Sequence, residues 1–373
     1  MTQPGDTGRS IPKNALPTRF GNLGGVRDAA REKKLRRLVR RAGFSKRSGY
    51  QPDKLIEARV LATCTGAKPT LAASQAIKDP AIGCKASNST MSRLYSCSDE
   101  QRAKKLWWGI ARSFRLGRGR IWALDGTFLR VFGNRFEKAA RGYDSLHDET
   151  SLGYLFATVF DLASKRPVFW MLLPGNVSEK LLLQPLMEAA METCGRRPDI
   201  IVFDRGYLSK GNVRWIGAHG MQWVSRAFAK MQVSDASKSL TPKTWFEYYE
   251  MGNCRDVYWA KCGPVRIVKD EDIDDGRVID TRYLVGSTGL DVARMISLYA
   301  MRWDIEEYHK QLRAIGLNVL PTGKFEGIRL HILLVALAYV LLHTVAGFLK
   351  VFGKSVVTIV RRICIAALVS EPS

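Results

Sequence analysis

The chain has 373 residues, enough for two or three domains, and its 46% apolar and 10% aromatic content excludes wholesale disorder. Against 35 Asp and Glu stand 58 Lys and Arg, a formal charge of +23 at pH 7, which points to a polyanionic partner, either nucleic acid or an anionic membrane surface. The seven cysteines include no CxxC pair, so neither a zinc ribbon nor a disulfide framework is indicated.

Residues 1–25 are rich in Gly, Pro and Thr, hold no apolar signal-peptide core and read as a disordered N-terminus. Residues 26–118 read as a helical DNA-binding region. It opens with ten Lys or Arg between Arg27 and Arg47, around an apolar seam of Leu35, Leu38 and Val39. Such a basic helix is either a solvated charged face or a phosphate-contacting one. Short helices follow, over "PDKLIEARVLATC", from Thr70, over "SNSTMSRLYSC", and over "SDEQRAKKLWWGIARSF" with Ser98 as N-cap.

The pattern changes near residue 120. "RIWALDGTFLRVF" is a strand with Asp125 in its apolar middle, and "GYLFATVFDLASKRPVFWMLL" is two strands joined at Ser164 and Lys165. Asp161, at that turn, reads as structural. A helix runs from Ser178 to Gly195, then a short buried strand "IIVF" ends at Asp204, followed by a helix and a further strand. This order predicts a mixed α/β sheet over 119–225. Residues 226–290 alternate and carry aromatics, which predicts a β-rich insertion. Residues 291–350 return to helix, and 351–373 form a tail. The stretch "HILLVALAYVLLHTVAGFLKVFG" approaches transmembrane length, but two histidines and a glycine interrupt it, so it reads as a buried helix.

The helix "YAMRWDIEEYHKQLRAIG" is the most informative. At roughly 100° per residue, Tyr299, Arg302, Glu306, Lys310 and Arg313 share one stripe, while Met301, Ile305, Tyr308, Leu312 and Ile315 share the opposite one. A lone acid among cations accompanies Asp125 and Asp204. Three carboxylates drawn from two strands and a helix are what two hard Mg²⁺ ions at a phosphoryl-transfer site require. Taken singly, each has a structural alternative in a turn, a cap or a salt bridge.

Together these residues resemble the DDE transposases of insertion-sequence family four. Tyr299-x2-Arg302-x3-Glu306-x6-Arg313 is similar to that family's Y-x2-R-x3-E-x6-K motif, with Arg313 in place of Lys, and "ALDGT" and "FDRGY" look like its two aspartate segments. The resemblance covers about residues 120–345. It implies an RNase H-like catalytic domain, interrupted by a β-rich insertion and preceded by the all-α DNA-binding region. Asp125, Asp204 and Glu306 would hold two Mg²⁺ ions, with Mn²⁺ as a substitute. Tyr299, Arg302, Lys310 and Arg313 would contact the phosphates of double-stranded DNA at transposon ends and target. A homodimer on DNA, a cytoplasmic, nucleoid-associated location and no membrane partner follow from the same resemblance. Trp245 or Trp259 would stack on an unpaired base or serve as a core aromatic. Arg205 is open between contacting DNA and tuning Asp204, and His309 is not needed as a base in metal chemistry. The alternatives are an inactive or truncated DNA-binding relative, a related RNase H-like nuclease, or a membrane-associated basic protein.

Overall fold

The computed structural model describes residues 24–45, 49, 51–65, 84, 86–96, 98–227, 254–259, 261–274 and 277–348. The expected disordered N-terminus up to residue 23, the helix from Thr70, Trp245 and the tail lie outside these residues. The chain divides into two compact units, one drawing on residues up to Ile110 and from Gln311 onward, the other spanning Ala111–Lys310.

The first unit is helical: α1 (Gly24–Glu32), α2 (Leu35–Arg41), α3 (Pro52–Cys64), α4 (Asn88–Ser96) and the start of α5 (Glu100–Phe114). Lys34 takes the left-handed conformation, φ 54°, and separates α1 from α2. The apolar seam is buried through Leu35 and Val39, and two cations of the basic run pair with acids of α3. Arg36 Nε donates to Glu57 Oε2 at 2.7 Å, and Arg40 Nε donates to Asp53 Oδ2 at 2.7 Å. Those two carboxylates sit on α3, a helix buried at every position from Leu55 to Cys64, where an unpaired acid would be costly.

The second unit is a sheet covered by helices. In order come β1 (Ile121–Arg130), β2 (Ala140–Asp144), β3 (Glu149–Asp161) and β4 (Arg166–Pro174), followed by a 3₁₀ turn at Glu179–Leu181 and α6 (Leu183–Cys194). Then come β5 (Ile200–Phe203), a 3₁₀ turn at Arg205–Tyr207, α7 (Lys210–Ala218) and β6 (Gln222–Arg226). The run β4-β3-β1-β5-β6 forms the middle of the sheet, with β3 antiparallel to β1 and β4, and β5 parallel to both β1 and β6. This is the mixed α/β sheet expected. The short strand β2 was not foreseen in the sequence; its residues alternate in burial and pair only with the start of β3.

Strand β5 is buried along its whole length, as a central parallel strand must be. Phe203 stacks on Trp223 of β6, and α6 adds Leu183, Leu186, Met187 and Ala190 to the same core. Asp161 is structural: its Oδ1 accepts from the N–H groups of Ala163 and Ser164, and its Oδ2 from Gly119 at 2.8 Å.

Strands β7 (Cys254–Trp259), β8 (Gly263–Asp274) and β9 (Arg277–Ser287) supply the β-rich character expected between 226 and 290. They extend the same sheet, because β9 pairs antiparallel with β6. The acidic run in β8 is partly neutralised, with Asp270 on Arg282 at 3.0 Å and Glu271 on Lys269 at 2.9 Å. Trp259 is 7% exposed and belongs to the core, the second of the two roles considered for it.

Two helices follow, α8 (Val292–Met301), N-capped by Asp291, and α9 (Trp303–Ala314). The expected single helix from Tyr299 therefore has a joint at Arg302. The described chain closes with α10 (Phe325–Phe348), in the helical unit, packed on α1, α3 and α4. It alone among the described helices is long and apolar enough to cross a membrane, and 83% of its most apolar window is buried inside the fold. Burial against other helices is what a core helix shows and a lipid-facing one does not.

Candidate active site

Sheet register brings the two aspartates together. On β1 and β5 the last parallel pair is Leu124 with Phe203, so Asp125 and Asp204 are the next residues of two neighbouring strands. Asp125 faces Thr158 of β3 across the other ladder, and paired residues project to the same face. Asp204 keeps extended backbone, φ −76° and ψ 162°, and its carbonyl accepts from Tyr207 N–H at 3.1 Å, which opens the 3₁₀ turn.

The α8–α9 joint supplies the third acid. Glu306 Oε1 pairs with Arg302 Nη2 at 2.5 Å. One turn beyond Glu306, the buried His309 reaches β1 and β3: its Nδ1 is 3.5 Å from Asp125 Oδ2, and its Nε2 is 3.3 Å from Thr158 Oγ1. The ring meets Phe156 edge-on, Tyr308 packs on Phe160, and Lys165 Nζ reaches Asp304 at 3.1 Å. These contacts hold the start of α9 on the β3–β4 hairpin, and with it Glu306.

Tyr299 Oη donates to Asp204 Oδ1 at 3.4 Å, and its ring lies 5.2 Å from the Arg302 guanidinium. Burial pushes the Tyr299 phenol up, while the Arg302 charge works the other way. Burial also works against the charge of Arg302, but Tyr299, Asp125, Glu306 and Asp204 outweigh it and hold the guanidinium above its usual range. Its Nε is buried with no hydrogen-bond partner. Lys310 Nζ sits 4.5 Å over the exposed Trp303 ring and 3.7 Å from Glu307 Oε2. Asp125, Asp204, Tyr299, Arg302, Glu306 and Lys310 thus share one unit; Arg313 lies in the other.

Two residues near the aspartates were missed in the sequence. Glu179, read there only as part of a helix start, has its carboxyl pushed up to about 7 by burial, then by Asp125 and Asp204. Tyr207, three residues after Asp204, is wholly buried, its hydroxyl has no hydrogen-bond partner, and its phenol is raised by burial and by Glu179, Asp125 and Asp204. The glycines in "ALDGT" and "FDRGY" were the available signal, since each leaves room for a neighbour beside an aspartate.

Among the described residues, no three His, Cys, Asp or Glu side chains are drawn together closely enough to hold a metal ion as they stand. Their chemistry nonetheless fits a hard divalent cation: the donors are carboxylate oxygens, and the Glu179 carboxyl is raised by burial and then by its negative neighbours.

The sheet thus sets Asp125, in the middle of β1, beside Asp204, which follows β5. The sequence matches the family described as the transposase DDE domain over residues 117–341, more than half of the chain, and the protein belongs to that family. None of the curated proteins compared matches it. Among solved structures it is similar to a piggyBac transposase synaptic complex with hairpin DNA, at 12% identity and a TM-score of 0.47, over 91% of this chain and 71% of that one.

Proposed function

We propose that this chain is a cut-and-paste DNA transposase of insertion-sequence family four, which binds the terminal inverted repeats of its element and catalyses metal-dependent cleavage and strand transfer. The observation that carries this reading is the register of β1 and β5, which sets Asp125 beside Asp204. Asp125, Asp204 and Glu306 would hold two Mg²⁺ ions, or Mn²⁺, whose charge stabilises the attacking and leaving oxygens of the scissile phosphate.

The protein's own residues prepare that chemistry. The Tyr299 hydroxyl orients the Asp204 carboxylate from one side. His309 orients Asp125 from the other and ties it to Thr158. Arg302 carries a buried N–H without a partner, which a phosphate oxygen would satisfy, and transfer of Arg302 to phosphate would release Glu306 from its ion pair. Lys310 and Arg313 would neutralise phosphates further along the strand, and two protomers would pair two ends of the element.

The test is cleavage of a labelled duplex carrying the terminal repeats, in Mg²⁺ and in EDTA, with wild type beside Glu306→Gln. Metal-dependent nicking at the element end, lost in the variant, is the expected result. Binding without nicking by either protein would retire the enzymatic reading.

A further inference from the structure

Glu179 stands outside the three acids of the motif. It begins the 3₁₀ turn that leads into α6, and its carboxylate reaches back to the middle of β1 and to the 3₁₀ turn after β5, the two segments that adjoin the aspartates. A methyl group on Gly126, the residue after Asp125, would lie 2.6 Å from Glu179 Oε1. A methyl group on Gly206, two residues after Asp204, would collide with Glu179 Oε2. The glycines clear the space that this carboxylate fills, so Glu179 is seated against both backbones.

The second observation is the Tyr207 hydroxyl. It is wholly buried, has no hydrogen-bond partner, and lies 3.3 Å from the same point on Gly126 that Glu179 Oε1 approaches. A buried hydroxyl left unpaired is costly unless a polar ligand meets it. The charges acting on Glu179 are those of Asp125 and Asp204, both negative. Like charges gathered in a partly buried place call for a cation. Arg302, the nearby counter-charge, is already paired with Glu306.

We infer that Glu179 is a fourth acid of the metal centre: with Asp125 and Asp204 it binds a hard divalent cation before Glu306 is released from Arg302. The inference rests on the proposed transposase reading for its setting, but concerns a residue that the three-acid motif does not include. All the donors are oxygens, as Mg²⁺ and Mn²⁺ prefer.

The experiment is Mn²⁺ binding to the full chain without DNA, followed by the electron-paramagnetic signal of free Mn²⁺. Glu179→Gln should weaken the first Mn²⁺ by about tenfold or more, whereas Glu188→Gln, on the exposed face of α6, should leave that affinity unchanged. Gly206→Ala, which displaces the carboxylate without removing it, should weaken binding in the same direction and serves if Glu179→Gln does not fold. Wild-type affinity in Glu179→Gln overturns the inference, as does an equal loss in Glu188→Gln, or a wild type that binds no Mn²⁺. A wild type that nicks DNA while Glu179→Gln binds Mn²⁺ normally would retire Glu179 and keep the transposase reading. Binding lost with Glu179→Gln in a chain that never nicks DNA would do the reverse.

Discussion

Asp125 and Asp204 are the residues on which the chemistry would depend most directly. Asp125→Asn and Asp204→Asn should each slow cleavage by about a thousandfold or more, roughly 4 kcal/mol of barrier, while binding of the same duplex in a gel-shift assay stays near wild type. Near-normal cleavage in either variant removes that residue from the centre. His309, 3.5 Å from Asp125, would act through it as a positioning residue. His309→Ala should lower cleavage by about tenfold to a hundredfold and weaken Mn²⁺ binding, with His309→Gln recovering part of both. Equal loss in the two variants would indicate packing alone. Arg302→Ala should reduce the slope of log affinity against log salt by about one, because one phosphate contact is lost. An unchanged slope would place Arg302 in a purely internal role.

Among the elements, α10 offers the clearest pH effect. His331 is wholly buried on that helix, its Nε2–H donates to the Gly316 carbonyl at 3.0 Å, and its imidazole is lowered to about 3 by burial and then by Arg59. Above its ordinary pKa of 6.5 the ring is neutral folded and unfolded, and the histidine costs nothing. As pH falls below 6.5 the unfolded chain takes up a proton that the folded one refuses until about 3. Stability should therefore fall through that window, by at most about 1.4 kcal/mol per pH unit. Thermal midpoints measured from pH 7 down to 4 should drop less in His331→Gln than in wild type, and parallel curves would refute the assignment. The motif helix is an element read only in part from its pattern. Its two stripes were legible, but the joint at Arg302 was not, because local periodicity continues smoothly across it.

At the scale of the whole molecule, the formal charge of +23 governs encounter with a polyanion. Affinity for random duplex DNA should fall linearly on a log–log plot against salt, with a slope of several units. A flat plot would show that the excess cations do not meet phosphate. Part of that excess is already committed internally, since Arg36 and Arg40 are tied to Glu57 and Asp53. Net charge therefore overstates the number of available phosphate contacts.

Sequence alone determined the mixed α/β class, the strand and helix order around Asp125, Asp204 and Glu306, and the family those segments resemble. Each is encoded locally, by hydrophobic period, by turn residues and by spacing within a motif. Only the tertiary structure decided which side chains surround the aspartates. His309 meets Asp125 because α9 packs on β3, and Glu179 reaches Gly126 and Gly206 because the turn before α6 folds back over the middle of β1 and the turn after β5. The same holds for β7–β9, whose alternation predicted strands but whose pairing through β9 onto β6 joined them to the sheet that carries Asp125. Contacts between residues far apart in the chain are set by register and packing, and no local pattern in the sequence records them.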